Sequence, residues 1–293
     1  MHRRLCFGRV PIIVFHSVRP AGAPLEGARG ELSLEASAFA RGLAALQAGG
    51  CTSIRCAQLL DHLQHGTPLP PRPVLLTFDD GWRDNATTAA PLLRQHGFVA
   101  TLFVATDLIE PDDAPGRGGA AGYCSAAELA ALAREGTFEL EAHSASHALL
   151  ARRATPAGEE LTWFGERGPD EAESTQRARI ATDLRRCRER LAAITGRAPE
   201  FLAWPGGGVS PTGLDVALHE VGFRATFLTE RWSAAVTPSP TALPRTFFSQ
   251  HYRGRGADAA RAQKLRGVVE WERGEWSGYV RLFLANRWMG WFR

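Results

Sequence analysis

Short apolar runs alternate with amphipathic segments along most of the chain, and this alternation limits the possible folds more than any other feature. The segments between the runs are rich in Ala, Leu and Arg and carry signals for helix starts and ends. Ser125 with Glu128 makes a capping box at a helix start, and Gly136 follows the end of that helix. Further helices are predicted after Ser210 and over Thr175–Thr195. Strands that alternate with helices form a largely parallel sheet, open or closed into a barrel, so the predicted class is α/β. The predicted strands are Val10–Phe15, Val74–Phe78, Phe98–Val104, Phe138–Ala142, Phe201–Trp204 and Ala225–Leu228.

Polar residues follow several of these strands directly. His16 follows the first, Asp79 and Asp80 follow the second, and His143 and Pro205 follow two others. In parallel α/β folds the chemistry lies beyond the carboxyl ends of the strands, so these residues are predicted to meet on one face. The segments 107–122 and 152–174 are rich in Gly, Pro and charge and are predicted to form loops over that face.

Two short motifs indicate the kind of chemistry. Asp79 and Asp80 stand together before Gly81, and His143 and His147 stand four residues apart. One carboxylate and two neutral imidazoles suit a divalent metal ion with positions left open for water. The second carboxylate is then available to accept a proton. This combination favours metal-assisted hydrolysis.

Simpler explanations of the same residues exist. Adjacent Asp residues often cap helices in turns, but Asp84 and Asn85 offer caps and leave the earlier pair available. A His pair is common on surface helices, but here a strand precedes it and only small residues separate its members. Two His and one carboxylate also define non-haem iron oxygenases. The second Asp, and the position of the carboxylate on the earlier strand, argue against that class.

Composition excludes some other functions. The 293 residues suffice for one large α/β domain or two small ones, and a net charge of +3 is too small to indicate a nucleic-acid partner. The five cysteines form no Cys-x-x-Cys pair, which is typical of free thiols in a reducing compartment. Arg9 interrupts the N-terminal apolar stretch, no signal cleavage site follows, and no apolar run is long enough for a bilayer. The predicted location is the cytoplasm.

At these motifs the chain resembles the polysaccharide deacetylases of carbohydrate esterase family 4, which share the NodB homology domain. Thr77–Gly81 (TFDDG) is similar to the first family motif, His143–His147 (HSASH) to the second and Leu202–Gly207 (LAWPGG), more weakly, to the third. The resemblance implies a distorted (β/α) barrel with fewer than eight complete units, which we assign to residues 1–250. It also implies that Asp80, His143 and His147 bind the metal and that Asp79 is the general base.

The chain departs from the family pattern at two places. Many members carry an Arg two residues before the Pro of the third motif, where this chain has Ala203, and a later Leu-x-His motif that supplies the acid is missing. Phe15–Val18 (FHSV) instead resembles the Tyr-His-x-Val opening of a rearranged subgroup that includes poly-N-acetylglucosamine deacetylases. Leu243–Arg245 (LPR) resembles the same subgroup. The resemblance makes His16 the candidate acid and Arg245 the candidate partner of Asp79.

The third motif suggests contacts to substrate. Trp204 is either a sugar-stacking residue or a core residue, and the sequence leaves both open. Pro205 and Gly206 begin a tight turn, and a backbone N–H near Gly206 is a candidate donor to an oxyanion.

The C-terminal stretch 251–293 has its own composition. It carries nine Lys or Arg against four acidic residues, and four tryptophans. Two interpretations remain open: a helical extension packed on the barrel, or a basic aromatic surface that makes peripheral contact with an anionic membrane. The tryptophans are Trp271, Trp276, Trp288 and Trp291.

The expected activity is removal of an N-acetyl group from an amino sugar, with one divalent ion, expected to be Zn²⁺, as cofactor. A cytoplasmic enzyme does not meet mature cell-wall polymer, so a lipid-linked saccharide or another glycan precursor is the favoured partner. The departures at Ala203 and at the missing acid motif keep one alternative open: a degenerate domain that binds glycan without cleaving it.

Overall fold

A closed barrel of seven parallel strands forms the centre of the molecule. The computed structural model describes residues 10–20, 22–23, 32–112, 122–155, 158–229, 239–247, 265–267 and 269–270. Around the ring the order is β1, β12, β11, β10, β7, β6 and β5, and β5 pairs again with β1. These strands are β1 (Ile12–Phe15), β5 (Pro73–Phe78), β6 (Ala100–Val104), β7 (Phe138–Ala142), β10 (Phe201–Ala203), β11 (Ala225–Thr229) and β12 (Ala242–Phe247). The prediction of a barrel with fewer than eight units is confirmed.

Five short strands lie outside this ring. β2 (Ser17–Arg19) and β3 (Ser33–Glu35) form a parallel pair, and β4 (Thr52–Ser53) pairs with the start of β5. β8 (Leu149–Thr155) and β9 (Gly158–Trp163) form an antiparallel pair. The predicted loop 152–174 therefore contains part of a β-ribbon, because this stretch carries little of the apolar alternation that marks a strand.

Helices surround the barrel and begin and end near the predicted residues. Ser125 Oγ accepts the N–H of Glu128, the Glu128 carboxylate accepts the N–H of Ser125, and Gly136 ends that helix in the left-handed conformation. The long helix ends at Gly196 as predicted. The helices are Ala36–Ala48, Cys56–His65, Ala90–Gln95, Ala126–Glu135, Glu173–Thr195 and Pro211–Asp215, with π-helical turns at Asn85–Ala89 and Val216–Val221.

Alternate residues of each strand face the inside of the barrel or the surrounding helices. One apolar cluster contains the outward-facing residues and the helices, including Phe78 and Leu202. A second contains inward-facing residues together with Leu59 and Leu60 of the helix Cys56–His65, which covers the amino-terminal end of the barrel. Its inward-facing members include Ile12, Leu75, Phe103, Phe201, Phe227 and Leu243. The carboxyl end is left for polar residues.

The sequence pattern did not predict the seventh strand of the barrel. β12 has the sequence ALPRTF, in which Pro244 and Arg245 break the apolar run. Pro244 lies opposite Leu228 in the register and has no N–H to donate to its neighbour. The strand forms because closing the ring pairs it with both β11 and β1.

A short part of the predicted C-terminal extension packs on the barrel domain. Leu265 and Val269 are buried in the larger apolar cluster, and Leu265 lies so close to Gly42 that an added Cβ there would be 2.9 Å from its Cδ2. This packing agrees with the helical-extension interpretation for these residues. The four C-terminal tryptophans and most of stretch 251–293 lie outside the described residues, and membrane contact stays a prediction. Within the part of the chain that the structure describes, no helix has the length and apolarity to cross a membrane.

Candidate active site

The tight turn after β5 places Asp79 and Asp80 at the carboxyl end of the barrel. Asp79 continues the inward-facing alternation of Leu75 and Thr77, and its N–H donates to the carbonyl of Phe15. Asp80 and Gly81 both have positive φ, +75° and +89°. A Cβ on Gly81 would lie 3.3 Å from Val104, so glycine suits both the conformation and the space. The reversal turns the Asp80 side chain back over the barrel.

A second strained turn presents the two histidines. Ser144 and His147 also have positive φ, +63° and +49°, and Ser144 Oγ accepts the N–H of His147 at 2.9 Å. The carboxylate of Asp183, from the long helix, accepts the N–H groups of Ala145 and Ser146. Three of the four non-glycine residues with positive φ in the described chain thus lie in these two turns. Such conformations are costly and are concentrated at functional sites.

Asp80, His143 and His147 converge on one point, and their ligand atoms all lie within 4.8 Å of one another. Asp80 Oδ1 is 3.4 Å from His143 Nε2 and 3.2 Å from His147 Nε2. Ligands of a tetrahedral zinc ion, with bonds of about 2.0–2.1 Å, are about 3.3 Å apart. The separations therefore fit a metal ion.

Two further observations test the fit of this site to a metal ion. Asp80 Oδ1 is buried and makes no hydrogen bond within the described structure. His143 Nδ1 lies 2.8 Å from the carbonyl oxygen of Ala203, so the proton belongs on Nδ1 and Nε2 presents its lone pair. The three residues can hold a divalent cation.

Asp79 lies beside this cluster in a buried ion pair. Arg245 Nη1 and Nη2 donate to Asp79 Oδ1 and Oδ2 at 2.6 and 2.7 Å, and the Arg245 side chain is fully buried, with its guanidinium over the Phe103 ring. Burial alone would raise the pKa of Asp79, but Arg245, followed by His143, lowers it below the usual value. Asp79 is therefore an anion at neutral pH, within 4.0 Å of His143 Nε2.

Replacing Arg245 with Ala is expected to lower the free energy of unfolding by about 3–5 kcal/mol, because it leaves the Asp79 carboxylate buried without its cation. Urea unfolding measures this effect. Arg224→Ala is the control, since Arg224 pairs with Asp61 and Glu200 at the surface and its loss should cost only about 0–1 kcal/mol. Equal effects of the two substitutions would contradict the prediction.

The segment after β1 is fastened to the turn after β5. Asn85 Nδ2 donates to the carbonyl of His16 at 2.7 Å, and the buried Asp84 carboxylate accepts the Ser17 hydroxyl and the Val18 N–H. Asp84 thus binds this segment and makes no side-chain helix cap, in contrast to the suggestion from the sequence. His16 continues the inward alternation of Ile12 and Val14. Burial lowers its pKa, while the nearby Asp80 and Asp79 carboxylates act in the opposite direction without cancelling the effect.

The third motif requires one correction. Trp204 is 0% exposed and stacks on Phe164 in the apolar core, so its ring faces are not available to a sugar. Pro205 is also buried, and Gly206 turns the chain with φ +69°. A tryptophan from the predicted loop, Trp163, occupies the position beside the cluster instead.

Trp163 is the last residue of β9 and lies beside His147, one of the candidate metal ligands. Its partly exposed ring lies 5.7 Å from that of His147, edge to face. A Cβ on Gly206 would lie 2.3–2.4 Å from three atoms of the indole, so the ring rests directly on the glycine. The backbone N–H of Trp163 donates to Glu166, and the Gly165 carbonyl accepts the N–H of Ser210, which fixes this turn against the third motif.

Some of these residues carried a signal in the sequence. Asp183 stands on the buried stripe of the long helix with Ile180, Leu184 and Cys187, and a charge on such a stripe indicates a buried partner. Trp163 carried no such signal, because the segment predicted as a loop has no apolar periodicity from which its contacts with other segments could be inferred.

A parallel barrel with an Asp-His-His cluster at its carboxyl end and a buried Asp–Arg pair beside it defines a class of site suited to metal-assisted hydrolysis. The sequence profile described as "Polysaccharide deacetylase" matches residues 66–226, more than half of the chain. The chain belongs to the polysaccharide deacetylase family.

Individual relatives agree with this assignment. The chain is 25% identical over 210 residues to the poly-beta-1,6-N-acetyl-D-glucosamine N-deacetylase of Escherichia coli K12, an alignment that covers 68% of this chain and 31% of that protein. It thus spans about a third of the length of this relative. In fold it is similar to a de-N-acetylase from Aggregatibacter actinomycetemcomitans (TM-score 0.65, 17% identity, 81% of this chain and 94% of that one). IcaB from Ammonifex degensii is similarly close (TM-score 0.64, 20% identity, 90% and 97%).

Proposed function

We propose that this protein is a metal-dependent hydrolase that removes the N-acetyl group from an amino sugar in a glycan. The observation that carries the proposal is the convergence of Asp80 Oδ1, an orphaned buried oxygen, with two imidazole nitrogens beside the ionised Asp79. The family assignment and the substrate named for the E. coli relative support the same reaction. Asp80, His143 and His147 would hold the ion, for which one carboxylate and two imidazoles favour Zn²⁺.

Each polar residue has a proposed task. A divalent ion bound here would lower the pKa of a bound water and polarise the amide carbonyl. Asp79 accepts a proton from the attacking water while the water oxygen forms a bond to the carbonyl carbon. His16 donates a proton to the amide nitrogen as the C–N bond breaks, so that acetate and a free amine leave. A backbone N–H near Gly206 is the proposed donor to the oxyanion.

The surroundings of the cluster suggest how the sugar is held. Trp163 is the aromatic surface adjoining His147 and Gly206, and we propose that it contacts the pyranose ring in place of Trp204. The substrate is either a polymer like that of the E. coli relative or a lipid-linked precursor. The second choice depends on the cytoplasmic location, which stays a prediction.

Acetate release tests the proposal directly. The chelated protein is supplied with Zn²⁺ and offered β-1,6-linked N-acetylglucosamine oligosaccharides and N-acetylated glycolipids in parallel. Acetate should appear only after the ion is added back. Saturable binding of these saccharides without acetate release would instead support the alternative of a degenerate glycan-binding domain.

The acid role of His16 has a pH signature. With Asp79 as the base and His16 as the acid, catalysis requires an ionised Asp79 and a protonated His16. Burial lowers the pKa of His16. As pH rises through that pKa the acid loses its proton, so kcat/KM should fall with a midpoint below about 6.5. His16→Gln should lower kcat and remove this decline while the metal content stays unchanged. If the variant keeps the same decline, His16 is not the acid.

A further inference from the structure

The two oxygens of the Asp80 carboxylate have different partners. Oδ1 faces the two imidazole nitrogens and makes no hydrogen bond in the described structure. Oδ2 accepts the indole N–H of Trp82 at 2.9 Å. The hydrogen bond at Oδ2 thus selects which oxygen points to the metal position.

Trp82 is itself held in place by a second segment. Its indole stacks on the ring of Tyr123, with ring centroids 4.3 Å apart and planes inclined by 24°. The backbones on either side are joined, because the N–H of Arg83 donates to Gly122 and the N–H of Cys124 donates to Gly81, each at 2.9 Å. The indole N–H therefore approaches Asp80 from a fixed direction.

Fixing this carboxylate matters because of its backbone. Asp80 has φ +75°, a conformation that non-glycine residues rarely adopt, and its side chain must still bring one oxygen within 3.2–3.4 Å of both imidazoles. A carboxylate without a partner on Oδ2 is free to turn about its last side-chain bond. Hydrogen bonds to the far side of a metal ligand restrict such motion and typically contribute a factor of about 10–100 in metal affinity.

We propose that Trp82 is a positioning residue for metal binding, which orients Asp80 through its indole N–H and is aligned by Tyr123. This inference rests on the proposed metal site. It assigns to the residue after the Asp-Asp-Gly motif a role that the stacking of its ring on Tyr123 does not by itself explain, because the indole N–H donates to the ligand Asp80.

The test is the affinity of the full chain for Zn²⁺, measured by competition with a chromophoric chelator. Trp82→Phe keeps an aromatic ring for the stack on Tyr123 and loses the N–H, and it should weaken Zn²⁺ binding about 10–100-fold. His219→Ala, at a side chain that is 74% exposed and outside the cluster, is the control and should leave the affinity unchanged. Thermal unfolding of the metal-free proteins checks that both variants fold.

Each outcome separates the possibilities. Wild-type affinity in Trp82→Phe, or an equal loss in His219→Ala, overturns the positioning role. If Trp82→Phe does not fold, Trp82→Leu, which also has no hydrogen-bond donor on its side chain, is measured in its place with the same expectation. Failure of the wild-type protein to bind Zn²⁺ or other divalent ions would instead overturn the proposed metal site, and the inference with it.

Discussion

Replacing Asp79 with Asn is expected to leave Zn²⁺ bound and to reduce the rate of acetate release by about 10²–10⁴-fold. The amide has nearly the same shape as the carboxylate but cannot accept the proton of the attacking water. The metal should remain, because Asp79 donates no ligand to the cluster of Asp80, His143 and His147. Steady-state assays and elemental analysis of the same preparations measure the two effects.

Two comparisons make this result specific to Asp79. Asp107→Asn removes a carboxylate that pairs with Arg186 at the surface, and it should change neither rate nor metal content. Asp80→Asn should lose metal as well as activity. If Asp79→Asn empties the site while Asp80→Asn does not, the roles of the two carboxylates are the reverse of those proposed.

Replacing His147 with Ala is expected to remove most of the bound metal and nearly all activity, because one of three protein ligands is lost. His147 is the more exposed of the two histidines, with 24% of its side chain accessible against 2% for His143, so the substitution should disturb the core less. Elemental analysis after dialysis measures the retained ion. His219→Ala, at a side chain that is 74% exposed, is the control and should retain the metal. Full occupancy in His147→Ala would show that His147 is not a ligand.

The sequence by itself determined the class of the fold, and it predicted the three residues, Asp80, His143 and His147, that the structure brings together. Apolar runs that alternate with capped helices predict a parallel sheet, and six of the seven barrel strands were found from this pattern. The alternation within a strand also fixes which residues face inward. It therefore predicts that the side chains of His16, Asp79 and His143 point inward at the carboxyl end of the barrel. These signals are local, because each depends on residues within one turn or one strand.

Only the tertiary structure decided what meets across the barrel. The family resemblance named Arg245 as the partner of Asp79, but the apolar pattern did not reveal its strand. The contact forms because closure of the ring brings β12 beside β1. Trp204 had two possible roles, and burial against Phe164 selected the core role. The contacts of Trp82 with Tyr123 and of Trp163 with Gly206 join loops that no periodic pattern relates. Local propensity fixes where a side chain stands along its strand or turn, whereas its partner depends on how distant segments pack.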